Sequence, residues 1–161
     1  MSDIETLRDE IKGIRIVMLT TVDQEESLRS RPMGMLDYEF AGDLWFFTSA
    51  SEPKVAEVKR ENQVNVAFAD PSSNRYVSVS GIASIVPDRA RMEKLWHPIM
   101  KAWFPDGLET PDIALLRVSV HKAEYWDFAS AKIVQLIGFV KAVVTGEPAD
   151  GLGKNEKLNI R

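Results

Sequence analysis

Two neighbouring segments of the sequence concentrate the cationic and hydroxyl side chains that bind phosphate in proteins. Arg29 and Arg31 stand two apart in a β-like segment, so their side chains share one face of the strand. Thr48 and Ser49 end the next β-like segment, and Lys54 follows in the first turn of a predicted helix. Guanidinium, hydroxyl and ammonium groups beside a helix N-terminus are what a phosphate monoester requires. The combination therefore predicts a phosphate site.

Each of these residues also has an ordinary structural explanation when it is taken alone. The two arginines can be charges at the rim of a sheet, paired with Glu25, Glu26 or Asp43. Ser51 is a suitable N-cap for the helix that follows, and a lysine on a helix is usually solvated. Only the presence of all these side chains within one short stretch favours a phosphate site over these alternatives.

Composition excludes several functional classes. The formal net charge is −4, the isoelectric point is near 5.3, and no run of lysine or arginine occurs, which argues against sequence-independent nucleic-acid binding. No cysteine is present, so disulfides, thiolate metal sites and cysteine nucleophiles are excluded. His97 and His121 lack metal-ligand spacing, and no pair of carboxylates is spaced for hydrolysis. We predict no metal site and no catalytic side chain.

Hydrophobic periodicity and turn residues predict more strands than helices. The predicted helices are 2–12, 53–61, 88–103 and 131–145, and the predicted strands are 14–22, 28–37, 44–50, 63–69, 75–86, 113–121 and 122–129. Turns between the first three strands are too short for crossovers, so the sheet should be antiparallel. Pro32 predicts an edge or a bulge in its strand, and Gly81 predicts a bulge or a ligand close to the backbone.

The whole chain of 161 residues is expected to form a single domain, with residues 146–161 as a polar C-terminal arm or one more strand. The apolar circumference of the predicted helix 131–145 favours association of two subunits. The longest apolar run, residues 133–144, is too short to span a bilayer. Acidic residues near the N-terminus and the lack of an apolar signal core there predict a cytoplasmic location.

The order of these elements resembles the FMN-binding split barrel of the pyridoxamine 5′-phosphate oxidase superfamily, and more closely its branch called general stress protein 26. This fold is mainly β, an antiparallel split β-barrel with peripheral helices. The segments that carry the resemblance are Arg29-Ser-Arg-Pro-Met33, Leu44-Trp-Phe-Phe-Thr-Ser49 with Lys54, Tyr76-Val-Ser-Val-Ser-Gly81, Leu95-Trp96, Lys101-Ala-Trp-Phe-Pro105, Leu116-Arg-Val118 and Ala123-Glu-Tyr-Trp-Asp127.

The resemblance implies a homodimer with two FMN sites at the subunit interface. By position, Arg31, Pro32 and Met33 would line the flavin. Trp126 corresponds to the aromatic residue that closes the site, from the same subunit or from the other one. Arg31 is also the first candidate for the cation that stabilises negative charge on the reduced flavin ring.

The phosphate of the flavin would be held by Thr48, Ser49 and Lys54, with Arg29 as a further candidate. The same phosphate contacts suit FMN and FAD, so the sequence leaves the choice between the two cofactors open.

The function implied by the resemblance is a flavin-dependent oxidoreductase that exchanges electrons with a small-molecule donor or acceptor. The alternative is a flavin-binding stress module without turnover, a carrier or sensor, and a related barrel that binds haem or a deazaflavin is a third possibility. Pyridoxamine phosphate oxidation is not expected, because the oxidases hold their substrate with a C-terminal Arg-x-His pair. Here the last histidine is His121, and Arg161 is the only arginine after Arg117.

Overall fold

A curled antiparallel sheet of seven strands forms the centre of the structure, a computed structural model that describes residues 1–128, 140, 141, 143–146 and 153–161. The split-barrel class with peripheral helices is thereby confirmed. The strands are β1 Ile16–Val22, β2 Leu28–Gly34, β3 Asp43–Ser49, β4 Gln63–Asp70, β5 Arg75–Val86, β6 Ile113–Asp127 and β7 Lys154–Asn159. The helices are α1 Asp3–Ile11, α2 Pro53–Arg60 and α3 Arg89–Leu95, with 3-10 turns at Pro98–Ala102 and Gly107–Glu109.

The strands follow the order β2-β1-β4-β5-β6-β3, and β7 pairs with β6 as well. Strand β2 lies at an edge of the sheet, as Pro32 predicted. Proline has no N–H group to donate to a further strand, so it is tolerated at an edge. Strand β6 has two partners on one side: β3 pairs with its first half and β7 with its second half. The predicted C-terminal arm thus contributes a strand to the sheet.

A β-bulge divides β6 at His121. The register between β5 and β6 shifts at Gly81, where Ser80 is opposite Lys122 and Gly81 is opposite Val120. A Cβ atom on Gly81 would lie 2.6 Å from the carbonyl oxygen of Ser119, so only glycine permits this approach. The predicted break between two strands at residues 121 and 122 is therefore wrong, because one bent strand continues through the bulge.

Strand β3 separates two hydrophobic clusters. Leu44 and Phe46 pack into the barrel interior among residues of α1, β1, β4, β5 and β6. On the other face, Trp45 and Phe47 pack against α3 and the two 3-10 turns. This double burial explains why the segment has apolar residues on both faces.

The predicted helix 88–103 is shorter than expected. Helix α3 ends at Leu95, and Pro98 begins a separate 3-10 turn. Proline holds the preceding residue in an extended conformation, and His97 accordingly has φ −130° and ψ 140°. The break turns Ile99 and Trp103 outward, and they are 57% and 58% exposed.

Most of the predicted helix 131–145 lies outside the described residues, although Val140–Lys141 and residues 143–145 are helical. Among the described residues, no helix is long and apolar enough to cross a membrane.

Glu10 predicts a pH dependence of stability. Burial and, secondly, the neighbouring Asp127 raise the pKa of Glu10 from 4.5 to about 7. Between these values the folded protein holds a proton that the unfolded chain releases, so the free energy of unfolding falls as the pH rises through this window. We expect Glu10→Gln to gain stability relative to the unchanged protein on going from about pH 5 to about pH 8, as measured by urea denaturation. Asp9→Asn, on the exposed side of α1, is the control. An equal effect of Glu10→Gln on stability at both pH values would contradict a raised pKa of Glu10 in the folded protein.

Candidate functional site

Helix α2 carries two charged residues on the face that it buries. Lys54 is 8% exposed and Glu57 is 4% exposed, and both lie beside Val55 and Val58 on the same face. A residue pair three positions apart shares one side of a helix. Burial of a charge is costly unless an opposite charge and hydrogen bonds compensate it, so the partners of these two side chains determine the local structure.

Glu57 joins α2 to the first two strands. Its Oε2 accepts hydrogen bonds from Thr21 Oγ1 at 2.5 Å and from Arg31 Nη2 at 2.8 Å. Its Oε1 lies 3.8 Å from Arg29 Nη1. The two arginines therefore share one face of β2, as their spacing predicts, and they point towards α2.

The alternative prediction, that Glu25, Glu26 or Asp43 pairs with the two arginines, is wrong. The acid that pairs with Arg29 and Arg31 is Glu57 and is supplied by α2, from outside the hairpin that carries Glu25 and Glu26. Asp43 pairs with two other arginines, which lie in β6 and near the end of the chain, each at 2.9 Å. Proximity in the sequence does not reveal this partner, because α2 comes from a later part of the chain and packs over the strands.

Arg29 and Arg31 differ in accessibility. The side chain of Arg31 is 14% exposed, and its Nη1 lies 3.4 Å from the carbonyl oxygen of Leu19. The side chain of Arg29 is 55% exposed. A guanidinium group has five donors, so donors of both arginines remain for an anionic ligand at the edge of the sheet.

Lys54 forms an ion pair with Glu52, the N-cap residue of α2. The expectation that Ser51 caps this helix is wrong, because the N-cap position directly before Pro53 is Glu52 and no side chain caps the helix. Ser51 Oγ instead lies 3.0 Å from Ser49 Oγ.

Thr48 contributes a buried hydroxyl group at the end of β3. Its side chain is 0% exposed, and its Oγ1 has no hydrogen-bond partner within the described part of the chain. An unpaired buried hydroxyl group is costly unless something in the working protein satisfies it. Ser49, next along the strand, is half-buried. We define Arg29, Arg31 and Lys54 as the cation cluster, which α2 organises between β2 and the end of β3.

Pro32 and Met33 do not lie on a common face. Met33 shares the inner face with Arg31 and packs into the core at 7% exposure. Pro32 is exposed on the outer face, where it is opposite Met18 of β1. Alternation along a strand requires this division, so the predicted flavin-lining triplet presents one side chain outward and two inward.

Trp126 lies far from the cation cluster within one chain. It is half-buried, opposite Tyr76 on the outer face of the sheet, whereas Arg31 belongs to the inner face. Strands β1, β4 and β5 lie between β2 and β6 in the sheet order. A ligand bound by the cation cluster would meet Trp126 only across a contact with a second copy.

The outer face of the sheet carries several exposed apolar side chains. Ile16 is 51% exposed, Met18 is 40% exposed and Tyr76 is 38% exposed, and Pro32 and Ala67 lie on the same face. We call these five residues the apolar sheet face. Contiguous apolar surface of this kind is typical of an interface between proteins.

Sequence reasoning missed Glu57 and Thr21. A signal for Glu57 was present, because a charged residue between Val55 and Val58 falls on the buried face of the helix. Its partners were not readable, since they are set by how α2 packs on β1 and β2.

Comparisons with known proteins give consistent matches. A family described as pyridoxamine 5′-phosphate oxidase like matches residues 2–150. Protein bli-3 of Neurospora crassa is 33% identical over 142 residues, which cover 82% of this chain and 68% of that protein. The crystal structure of a general stress FMN/FAD binding protein from Xanthomonas citri is 31% identical with a TM-score of 0.66, covering 77% of this chain and 87% of that chain.

A protein related to general stress protein 26, from Clostridium acetobutylicum, is similar over nearly the whole chain. Its TM-score is 0.72 at 19% identity, and the match covers 99% of this chain and 97% of that chain. At this level of identity the similarity concerns the fold alone.

Substitution of Glu57 should be strongly destabilising. Glu57→Ala leaves Arg31 and Thr21 without their buried acceptor, and removal of one partner of a buried ion pair costs about 3–5 kcal/mol. We expect a loss of this size in the free energy of unfolding, measured by urea denaturation. Glu61→Ala, on an exposed residue at the other end of α2, should cost less than about 0.5 kcal/mol. Similar losses for the two variants would contradict the role of Glu57.

Proposed function

Since the chain belongs to the pyridoxamine 5′-phosphate oxidase-like family, in its general stress protein 26 branch, we propose that it binds a flavin, FMN or FAD. The observation that carries this proposal is the cation cluster, with two of its three cations nearly buried by α2. The relative from Xanthomonas citri, whose name includes FMN/FAD binding, supports the proposal.

The chemistry of the donor set fits the phosphorylated end of a flavin. Arg29 and Arg31 offer unused guanidinium donors, and Lys54 offers an ammonium group at the first turn of α2. The unpaired hydroxyl of Thr48 would gain an acceptor if a phosphate oxygen reached it. We propose that Thr48, Ser49 and Lys54 hold the phosphate, with Arg29 as a further ligand.

A bound flavin supplies hydride and one-electron chemistry, and the protein supplies binding, orientation and electrostatics. Arg31 is the residue that we propose to stabilise negative charge on the reduced ring. Glu57 holds its guanidinium group at a fixed position and compensates part of its charge. The role of Glu57 is therefore to orient this cation and not to touch the cofactor.

We propose that the active unit is a homodimer formed through the apolar sheet face. Burial of Ile16, Met18 and Tyr76 against a second copy would remove exposed apolar surface from water. The same contact would bring Trp126 of one copy towards the cation cluster of the other, which a single chain does not do. Pro32, on that face, would lie at the interface while Met33 stays in the core.

The proposed activity is that of a flavin-dependent oxidoreductase with a small-molecule donor or acceptor. Pyridoxamine phosphate oxidation is not proposed, because these 161 residues contain no Arg-x-His pair, and Arg161 is engaged by Asp43 and Ser119. A flavin-binding stress module without turnover is the second candidate, and the Xanthomonas citri relative is named a general stress FMN/FAD binding protein. Repeated reduction of bound flavin by NADH or NADPH, followed by absorbance in air, would favour the oxidoreductase.

Loss of the buried ammonium group should weaken flavin binding through the phosphate. We expect Lys54→Met to raise the dissociation constant for FMN by at least about tenfold and to change that for riboflavin much less, since a charge-assisted hydrogen bond contributes about 1.5–3 kcal/mol. Flavin fluorescence titration measures both constants. Lys59→Met, on an exposed lysine of the same helix, is the control. Absence of binding of both FMN and FAD by the unchanged protein would refute the proposed function.

A charge on the apolar sheet face should separate the subunits. We expect Met18→Arg to give monomers in sedimentation velocity and to weaken flavin binding, because a buried unpaired charge opposes association. Ile99→Arg, at an exposed apolar residue of the 3-10 turn, should leave the dimer intact. A dimer that persists with Met18→Arg would locate the interface elsewhere.

A further inference from the structure

Glu52 occupies the N-cap position of α2 without capping the helix. Its backbone is extended, with φ −73° and ψ 146°, and its side chain accepts no capping hydrogen bond from a backbone N–H of the first turn. Its carboxylate contacts the ammonium group of Lys54 instead. The N-cap side chain is therefore committed to the cation that we propose to bind phosphate.

Pro53 explains how Glu52 reaches a residue only two positions away. Side chains at positions i and i+2 within a helix do not face each other. Proline at the first helical position excludes the helical conformation for the residue before it, so Glu52 stays extended outside the helix. From there its side chain can turn towards Lys54.

Glu57 and Glu52, the two acids beside the cation cluster, differ in how easily their side chains can move away from it. The side chain of Glu57 is 5% exposed and has three partners in β1 and β2, so it is a permanent part of the site. The side chain of Glu52 is 43% exposed, and Lys54 is the one side chain of the described residues to which it is bonded. An exposed carboxylate regains water when it moves away, so release of Glu52 is cheap.

We propose that Glu52 competes with the phosphate of the flavin for Lys54 and thereby sets how strongly the protein prefers phosphorylated over unphosphorylated flavins. A phosphate and the Glu52 carboxylate are both anions that bind the same ammonium group, so the two compete for it. The binding energy that Lys54 gives to phosphate is then reduced by the energy of its bond to Glu52. The inference rests on the proposed flavin function and adds a specificity-determining residue to it.

The central experiment compares FMN with riboflavin, which lacks the phosphate. Glu52→Gln should raise the affinity for FMN about three- to tenfold, because the bond by which the Glu52 carboxylate competes for Lys54 is removed. The affinity for riboflavin should stay within about twofold. The gain for FMN should shrink in about 0.5 M salt, since screening weakens interactions at an exposed carboxylate. Glu61→Gln, which makes the same charge change at the exposed C-cap of α2, is the matched control and should leave both affinities unchanged.

A double-mutant cycle with Lys54→Met tests whether Glu52 acts through this lysine. The gain from Glu52→Gln should disappear when Lys54 is absent, because there is then no shared cation. An equal gain in the Lys54→Met background would show a general charge effect and would overturn the competition. No gain for FMN in the Glu52→Gln protein would overturn it as well.

Inorganic phosphate provides a second arm that does not depend on flavin. Glu52→Gln should increase the stabilisation by phosphate in thermal unfolding, and only when Lys54 is present. If no variant binds flavin but this pattern holds, the proposed function fails and the competition stands. If the protein binds flavin but Glu52→Gln and Glu61→Gln have the same FMN affinity and the same stabilisation by phosphate, the competition fails and the proposed function stands. Failure of both arms rejects both.

Discussion

The buried carboxylate of Glu57 is the interaction on which the site depends. It is nearly inaccessible to water, and it binds a hydroxyl group of β1 and guanidinium groups of β2. Such a group is tolerated only when its partners are fixed, so α2 and the first hairpin must pack in one arrangement. The position of Arg31 beside the helix follows from this requirement. A cation held in advance costs less to order when a ligand binds.

The middle and the first turn of α2 have different roles. Its middle packs against the sheet through Val55 and Val58, while its first turn lies where β3 ends with Thr48 and Ser49. Pro53 begins the helix without an N–H group of its own and keeps the preceding residue out of it. Helix α2 and its N-cap therefore bring the ammonium group of Lys54 and the carboxylates of Glu52 and Glu57 to the arginines of β2.

Much of the architecture could be predicted because its signals are local. Alternation placed Arg29 and Arg31 on one face, Pro32 indicated an edge strand, and Gly81 indicated the bulge. The end of α3 also had a local signal in Pro98, which the apolar pattern from residue 88 to 103 outweighed in the prediction. The bulge at His121 imitated a strand boundary, because an interruption of the alternation does not reveal whether pairing continues.

The site itself was predictable only in outline. The types and order of the phosphate-binding candidates indicated their chemistry, yet Glu52 and Glu57 were not assigned to them, because ion pairs across elements depend on packing angles. Pro32 and Met33 were grouped by the resemblance to the family's flavin-lining strand, although alternation along a strand places their side chains on opposite faces. Trp126 and the cation cluster would come together only in the proposed dimer, and a sequence pattern can favour association without specifying how the two copies are placed.

The topology has a consequence for how the chain reaches this state. Strand β3 is buried on both faces, and its one pairing partner among the described residues is β6, which is synthesised after α2, β4, β5 and α3. During translation Trp45, Phe46 and Phe47 therefore emerge long before their partner strand exists. An unpaired apolar strand of this kind invites wrong pairing with other chains. Strand β3 therefore stays exposed to such pairing until β6 has left the ribosome.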